Sequence, residues 1–216
     1  MTDPKSQFAE ALHASADLLS SRSVTPEVLV AARDFVERAN ELLATEPVRS
    51  LDDRQAEFAS QMVVPMGAPM IPDGAEFEAF TASPYSGKHN AMRPTSVTYR
   101  RVGDEVHADV LVGAALEGAP GRAHGGLTAA IFDDVMGAMQ RTTGLSGYTR
   151  ELTVEYLARL PIDEVVRFEA QLASSDDRTF TIEAQAIHGG TTVATAQGVF
   201  TSVRFDSDSS ADGLAQ

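Results

Sequence analysis

The chain has 216 residues, of which 43% are hydrophobic, enough to bury a core in one ordinary domain or in a smaller domain with an extension. Its net charge of −14 makes nucleic acid a poor partner. The absence of cysteine excludes disulfides, a thiolate nucleophile and cysteine-bound metal centres. Without a long apolar run or a secretory signal pattern, we expect a cytoplasmic protein with no stable membrane association.

The first quarter of the chain has helical patterns at residues 6–20 and 26–44. Thr25 and Pro26 form a helix start, an N-cap followed by proline at the first helical position. Apolar residues then recur at helical spacing, which indicates core packing or contact with another subunit. These residues are Val28, Ala32, Phe35, Ala39 and Leu42.

The next segment is rich in proline and glycine, which favours a linker over regular structure. We therefore predict a helical extension over residues 1–60 and a linker or loop over 61–94. Residues 206–216 are polar and acidic and are expected to be a disordered tail.

Residues 95–205 are dominated by strand patterns with one helix among them. The helix, predicted at about 125–142, is apolar on nearly every side and should be buried. The pattern predicts an α+β domain in which an antiparallel sheet wraps around one long central helix. The six predicted strands are 95–102, 105–113, 148–158, 165–174, 179–187 and 191–204.

A His-Gly-Gly turn at His124, Gly125 and Gly126 begins this helix, which also contains Asp133 and Asp134. At about 100° per residue, Asp133 shares a narrow face with small residues, whereas Asp134 lies closer to the apolar stripe. Small neighbours leave room for a substrate. We therefore predict Asp133 as the reactive carboxylate and expect Asp134 to be structural or solvated.

The free amides at the start of this helix can stabilise negative charge on a carbonyl oxygen under attack. We assign this role to the Gly125 or Gly126 amide. Asp133 would act as general base or as nucleophile, and the sequence leaves both routes open. His124 is expected to shape the turn or to orient the carbonyl.

These residues resemble the acyl-CoA thioesterases of the hotdog superfamily, in particular the phenylacetate-pathway and thioesterase-superfamily-member-four types. The resemblance covers about residues 95–204. Its most specific part is a Gly-Pro-Pro-Gly-like loop and His-Gly-Gly within residues 117–126, with an acidic residue, Asp133, nine positions after the histidine. It implies a hotdog fold, hydrolysis of acyl-CoA thioesters to the free acid and CoA without a metal or bound cofactor, and at least a homodimer.

The resemblance also implies roles for residues elsewhere in the chain. Thr149 would position the attacking water from the neighbouring subunit. Arg178 and Thr179 stand where the family has a segment near the CoA phosphates, and a guanidinium can make two charge-assisted hydrogen bonds to phosphate. Glu155 and Asn90 are also assigned to substrate or CoA binding.

Three other functions remain open. The first is a non-catalytic acyl-CoA binding or sensing module, although the acidic N-terminal helices argue against the DNA-binding domain that such sensors usually carry. The second is a hotdog dehydratase or hydratase, for which the chain lacks an Asp-x-x-x-x-His motif near a strand end. The third is a scaffold whose N-terminal helices bind a partner. The acyl chain that the protein would accept is not determined.

The remaining histidines are expected to be structural. A second His-Gly-Gly, beginning at His188, lies between two predicted strands and is interpreted as a hairpin turn. His13, His89 and His107 are isolated in sequence and show no metal-ligand spacing, so we expect them on the surface or in loops.

Overall fold

The computed structural model describes residues 3–62, 71–78, 83 and 85–203. The predicted disordered tail, 206–216, and most of the proline- and glycine-rich segment lie outside these residues. Within the described ranges, no helix is both long enough and apolar enough to cross a membrane.

The strands form a seven-stranded antiparallel sheet in the order β1-β2-β3-β5-β6-β7-β4. The strands predicted from the sequence are found near their expected bounds. The two-residue strand β1 lies within the predicted linker and pairs with β2. It was not predicted, because it is too short to show alternation. The bounds are β1 Glu76–Phe77, β2 Ser96–Val102, β3 Glu105–Leu111, β4 Gly147–Tyr156, β5 Val165–Ser175, β6 Thr179–His188 and β7 Thr191–Ser202.

The helix within the domain, α4, spans Gly125–Thr143. Its C-terminus ends at Gly144, which has the left-handed φ of 73° that favours glycine. The helix contacts β3, β4, β5, β6 and β7. It buries residues on most of its circumference, so the predicted antiparallel sheet around one central helix is confirmed.

The core lies between α4 and the inner face of the sheet. Alternate residues of β3 and β5 are buried, and they meet across the strands as Val106 with Ala170 and Val110 with Val166. At Gly198 the helix approaches the sheet so closely that an added Cβ would lie 2.6 Å from Sδ of Met136. Glycine at this position is therefore a packing requirement.

The second His-Gly-Gly forms the tight turn between β6 and β7, as predicted. Gly189 and Gly190 have φ angles of 56° and 78°, the positive values that a two-residue type I′ hairpin turn requires.

The first helix, α1, spans Pro4–Ser21 and lies against the domain. Its buried residues are Ser6, Ala9 and His13. The expectation that His13 lies at the surface is wrong: it is 3% exposed, and its Nδ1 lies 3.1 Å from the carbonyl oxygen of Ala91. The sequence misled here because this buried face is small and polar, whereas larger apolar residues of the helix point outward.

The second and third helices, α2 (Pro26–Ala44) and α3 (Leu51–Met62), complete the N-terminal part. α2 matches its predicted bounds and has no buried residue. Its apolar stripe therefore does not belong to the core of this chain. The division at residues 60, 94 and 205 stays a prediction.

Candidate active site at the central helix

The N-terminus of α4 is held by two side chains. The Gly126 N–H donates to Nδ1 of His124 at 3.1 Å, so the imidazole caps the helix. The Tyr156 hydroxyl donates to the Gly125 carbonyl oxygen at 2.7 Å. The peptide group between the two glycines is thus fixed at both ends.

This arrangement distinguishes the two amides considered in the sequence analysis. The Gly126 N–H is occupied by His124, whereas the Gly125 N–H has no hydrogen-bond acceptor among the described residues. Gly125 is also exposed. Of these two amides, the free donor is therefore that of Gly125. Because Nδ1 of His124 accepts, the ring proton of the capping tautomer lies on Nε2.

Asp133, two turns along α4, faces β4. The Thr149 hydroxyl donates to Oδ1 of Asp133 at 2.7 Å. Oδ2 of Asp133 has no hydrogen-bond donor within the part of the chain that the structure describes. Both residues belong to one chain, so Thr149 reaches the carboxylate without a neighbouring subunit. A β-bulge between Thr149 and Glu151 turns the Thr149 side chain to the helix side of the sheet.

The adjacent carboxylate, Asp134, is engaged on both oxygens. Ser83 donates to Oδ1 at 2.6 Å, and the Tyr99 hydroxyl donates to Oδ2. Tyr99 is 1% exposed. Burial raises the pKa of the Tyr99 phenol well above its usual range, and the Asp134 charge and hydrogen bond raise it further. The phenol therefore stays protonated as a donor, and Asp134 ties β2 and the segment around Ser83 to α4.

The residues assigned to CoA binding do not lie together. Thr179 is held in the turn before β6, where its N–H and hydroxyl both donate to Asp176. Three hydrogen bonds from this turn lower the pKa of Asp176. Arg178 is exposed in the same turn. Asn90 lies in the loop before β2, where its Oδ1 accepts from the Met92 N–H at 3.0 Å.

Glu155 lies on the opposite face of the sheet from α4. It lines a groove of about 450 Å³ together with Glu105, Glu169 and Glu183. Four carboxylates make this groove unfavourable for the phosphates of CoA. Its neighbour on the strand, Tyr156, points to the helix side instead and contacts Gly125.

The outer face also contains a group of possible metal ligands. His107 lies with Glu105 and Glu169, and one ligand atom from each falls within 4.8 Å of the others. Nε2 of His107 is 2.8 Å from Oε2 of Glu105. The expectation that His107 is isolated is wrong in three dimensions, because β3 and β5 bring it opposite Glu169. This group lies on the face of the sheet away from Asp133.

Sequence reasoning missed three side chains that shape the site. The sequence analysis did not assign Tyr156 to the site, although its hydroxyl donates to the Gly125 carbonyl oxygen. Tyr99 and Ser83 were not considered, although they engage Asp134. Helical spacing placed the two aspartates on different faces of α4, but it carried no information on which distant residues would contact each.

Comparison with known proteins shows similarity to thioesterases over part of the chain. The family model described as "Thioesterase superfamily" matches residues 120–197. Human acyl-coenzyme A thioesterase THEM5 is 28% identical over 99 residues, which are 45% of this chain and 40% of that protein. The chain therefore matches less than half the length of this curated relative.

A solved structure shares the architecture over nearly the whole chain. The crystal structure of protein RHA08564, a thioesterase superfamily protein, superposes with a TM-score of 0.71 at 21% identity. The match covers 92% of this chain and 95% of that chain, so the similarity extends beyond the region of the family model. The chain thus has the hotdog fold, and residues 120–197 match the thioesterase superfamily model.

Proposed function

We propose that this protein hydrolyses acyl-CoA thioesters to a free carboxylic acid and CoA, with Asp133 as the reacting carboxylate. The observation that carries this proposal is the Asp133–Thr149 hydrogen bond, which orients the carboxylate and leaves Oδ2 available. The similarity to human acyl-coenzyme A thioesterase THEM5 supports the choice of substrate class.

The Gly125 amide supplies the second part of the proposed site. The thioester carbonyl oxygen would accept a hydrogen bond from this N–H, which gains strength as negative charge develops on oxygen. Tyr156 and His124 hold the following peptide group in place, so the helix terminus is arranged before substrate arrives. Pre-arranged donors need no reorganisation during the reaction.

One chain cannot supply both groups to a single carbonyl. Gly125 and Asp133 are eight residues apart on α4, which separates them by about 12 Å along the helix axis. A reacting carbonyl must lie about 3 Å from each partner. We therefore propose that Gly125 of one subunit and Asp133 of another form each site. The strand β4, which carries Thr149, lies at a sheet edge and provides a surface for pairing two sheets.

The proposed chemistry balances along either of two routes. In the general-base route, Asp133 takes a proton from water as the water oxygen bonds to the carbonyl carbon. The C–S bond then breaks, and the proton passes to the CoA thiolate. In the nucleophilic route, Oδ2 of Asp133 attacks the carbonyl carbon, and the C–S bond breaks so that CoA leaves as a thiolate. Water then hydrolyses the mixed anhydride, which releases the free acid, restores the Asp133 carboxylate and supplies the proton that the thiolate takes up. Arg178 remains our candidate for contact with CoA phosphate, and a cytoplasmic location stays a prediction.

The test is thiol release from short, medium, long and aromatic acyl-CoAs. Because the chain has no cysteine, it cannot consume the thiol reagent itself. Asp133→Asn keeps an oxygen that accepts from Thr149, so we expect a folded protein with turnover lowered about 10²- to 10⁴-fold. Asp134→Asn is the matched control and should lower turnover far less. An equal loss in both variants would contradict the assignment of Asp133.

A second pair of variants tests the Gly125 amide. Gly125→Pro removes the N–H at the first helical position, where proline is favoured. His124 already has the extended ψ of 135° that a residue before proline adopts. Gly125→Ala keeps the N–H, and its Cβ would make an ordinary contact, 3.7 Å from the Tyr156 ring. We expect the proline variant to lose at least tenfold more kcat than the alanine variant, in line with about 1.4 kcal/mol or more for the donor. Equal losses of kcat in the two variants would show that the space around Gly125, and not its N–H donor, determines turnover.

A further inference from the structure

The helix α2 carries an apolar face that the described part of the chain leaves uncovered. None of its residues is buried, and Phe35 is 78% exposed. The apolar residues are spaced alternately by four and three positions, which is the seam of a coiled coil. Along this seam, large and small side chains alternate as Val28, Ala32, Phe35, Ala39 and Leu42. A second row, formed by Leu29, Val36 and Leu43, widens the face.

A helix of 19 residues with this face exposed lacks the tertiary packing that stabilises most protein helices. Its N-cap residue, Thr25, makes no capping hydrogen bond with its side chain. We propose that α2 pairs with α2 of a second copy of this chain, in antiparallel orientation about a two-fold axis. This proposal concerns the N-terminal helices and does not depend on the proposed function.

The alternation of side-chain size sets the register. In an antiparallel pair centred between residues 33 and 34, Val28 lies opposite Ala39 of the second copy, and Phe35 lies opposite Ala32. In these central layers Val28 and Phe35 each meet an alanine, so the two helix axes can approach to about 8 Å, the close end of the usual range. Leu42 lies opposite Thr25 at the end of the contact. Two-fold symmetry repeats each contact. A parallel pair would instead place Phe35 against Phe35 and leave gaps between facing alanines.

Charge supports the same orientation. Arg33 forms ion pairs within its own helix, with Asp34 and Glu37. Arg38 forms no ion pair among the described residues, and it lies on the same flank of α2 as Glu27. In the antiparallel register, Arg38 of each copy comes beside Glu27 of the other. The opposed helix dipoles add a favourable contribution that a parallel pair lacks.

Cysteine crosslinking tests the register directly, because the natural chain has no cysteine. We expect the double variant Val28→Cys/Ala39→Cys to form a disulfide-linked dimer under mild oxidation, while neither single variant does. The matched control is Val30→Cys/Glu41→Cys, which has the same separation on the opposite helix face and should remain monomeric on a non-reducing gel. Efficient linkage of the single variants would show parallel pairing and overturn the proposal, as would absence of linkage in the double variant.

Sedimentation analysis tests whether the face drives association. Phe35→Glu should raise the dissociation constant of the α2 contact at least tenfold, which corresponds to about 1.4 kcal/mol. Val30→Glu makes the same charge change on the opposite face and should leave that constant within about twofold of wild type. If both variants associate like wild type, the apolar face of α2 does not drive association and the proposal fails.

Discussion

Two helices of equal length, α2 and α4, differ in how much of their surface this fold buries. Both contain 19 residues, yet α4 buries ten of them and α2 none. The apolar residues of α4 surround the helix, and a sheet from the same chain encloses them. Those of α2 form one face, which none of the described residues covers. The pattern of apolar residues thus predicts both helices, while the breadth of the pattern distinguishes a buried helix from one that needs a partner.

The largest expected difference is in stability. Phe132 on α4 is fully buried and meets Phe168 edge-on at a ring distance of 4.9 Å. Phe132→Ala should therefore lower the free energy of unfolding by about 3–5 kcal/mol. Phe35→Ala on α2, measured by urea unfolding at low protein concentration, should change it by at most about 0.5 kcal/mol. Comparable losses would mean that α2 is packed against its own chain.

Within α4, the two adjacent aspartates should separate stability from activity. Asp134→Asn disturbs the hydrogen bonds to Tyr99 and Ser83 and should destabilise the fold by about 1–3 kcal/mol. Asp133→Asn retains an acceptor for Thr149 and should stay within about 0.5 kcal/mol of wild type. Thermal unfolding of both variants checks this. A larger loss in Asp133→Asn would reverse the structural assignment.

The Thr149 hydroxyl should contribute to turnover more than to folding. Thr149→Val removes the donor to Asp133 while keeping the shape of the side chain, and we expect about a tenfold fall in kcat, equivalent to about 1.4 kcal/mol. Thr149→Ser should retain most of the activity, since its hydroxyl can make the same bond. Equal kcat in the valine variant and wild type would remove Thr149 from the site.

The smallest effect is expected at Gly137, on the face of α4 that it shares with Asp133. A Cβ there would meet nothing within 4 Å, so Gly137→Ala should stabilise the helix by about 0.5–1 kcal/mol. Gly147→Ala is the contrasting variant, because its Cβ would lie 2.5 Å from the Thr201 carbonyl oxygen. This variant should destabilise the fold. A destabilised Gly137→Ala would show that another group occupies that space.

The sequence was sufficient for the elements of the fold but not for every contact. Alternation and helical spacing predicted six strands and α4, because each repeats a pattern over several residues. They did not predict β1, which is held by pairing with β2, or the buried position of His13 on a small, polar helix face. They also did not indicate that Glu155 lies on the outer face of the sheet while its neighbour Tyr156 faces α4, because adjacent residues on a strand point to opposite faces.

The same limit applies to the candidate site. Small neighbours on one helix face singled out Asp133, and its contact with Thr149 agrees with that choice. Distinguishing Gly125 from Gly126 required the structure, because the ring of His124 occupies one amide and leaves the other free. Helical spacing predicts which residues share a face, and only the folded chain shows which of their polar groups already have a hydrogen-bond partner.

The most direct test of the account uses mixed dimers of two variants with lowered turnover, Asp133→Asn and Gly125→Pro, with different affinity tags so that only the mixed species is purified. If each site combines Gly125 of one subunit with Asp133 of the other, one of the two sites is intact. The mixed dimer should then recover about half of the wild-type thiol release. Activity no greater than that of the separate variants, in a confirmed mixed dimer, would contradict the shared site.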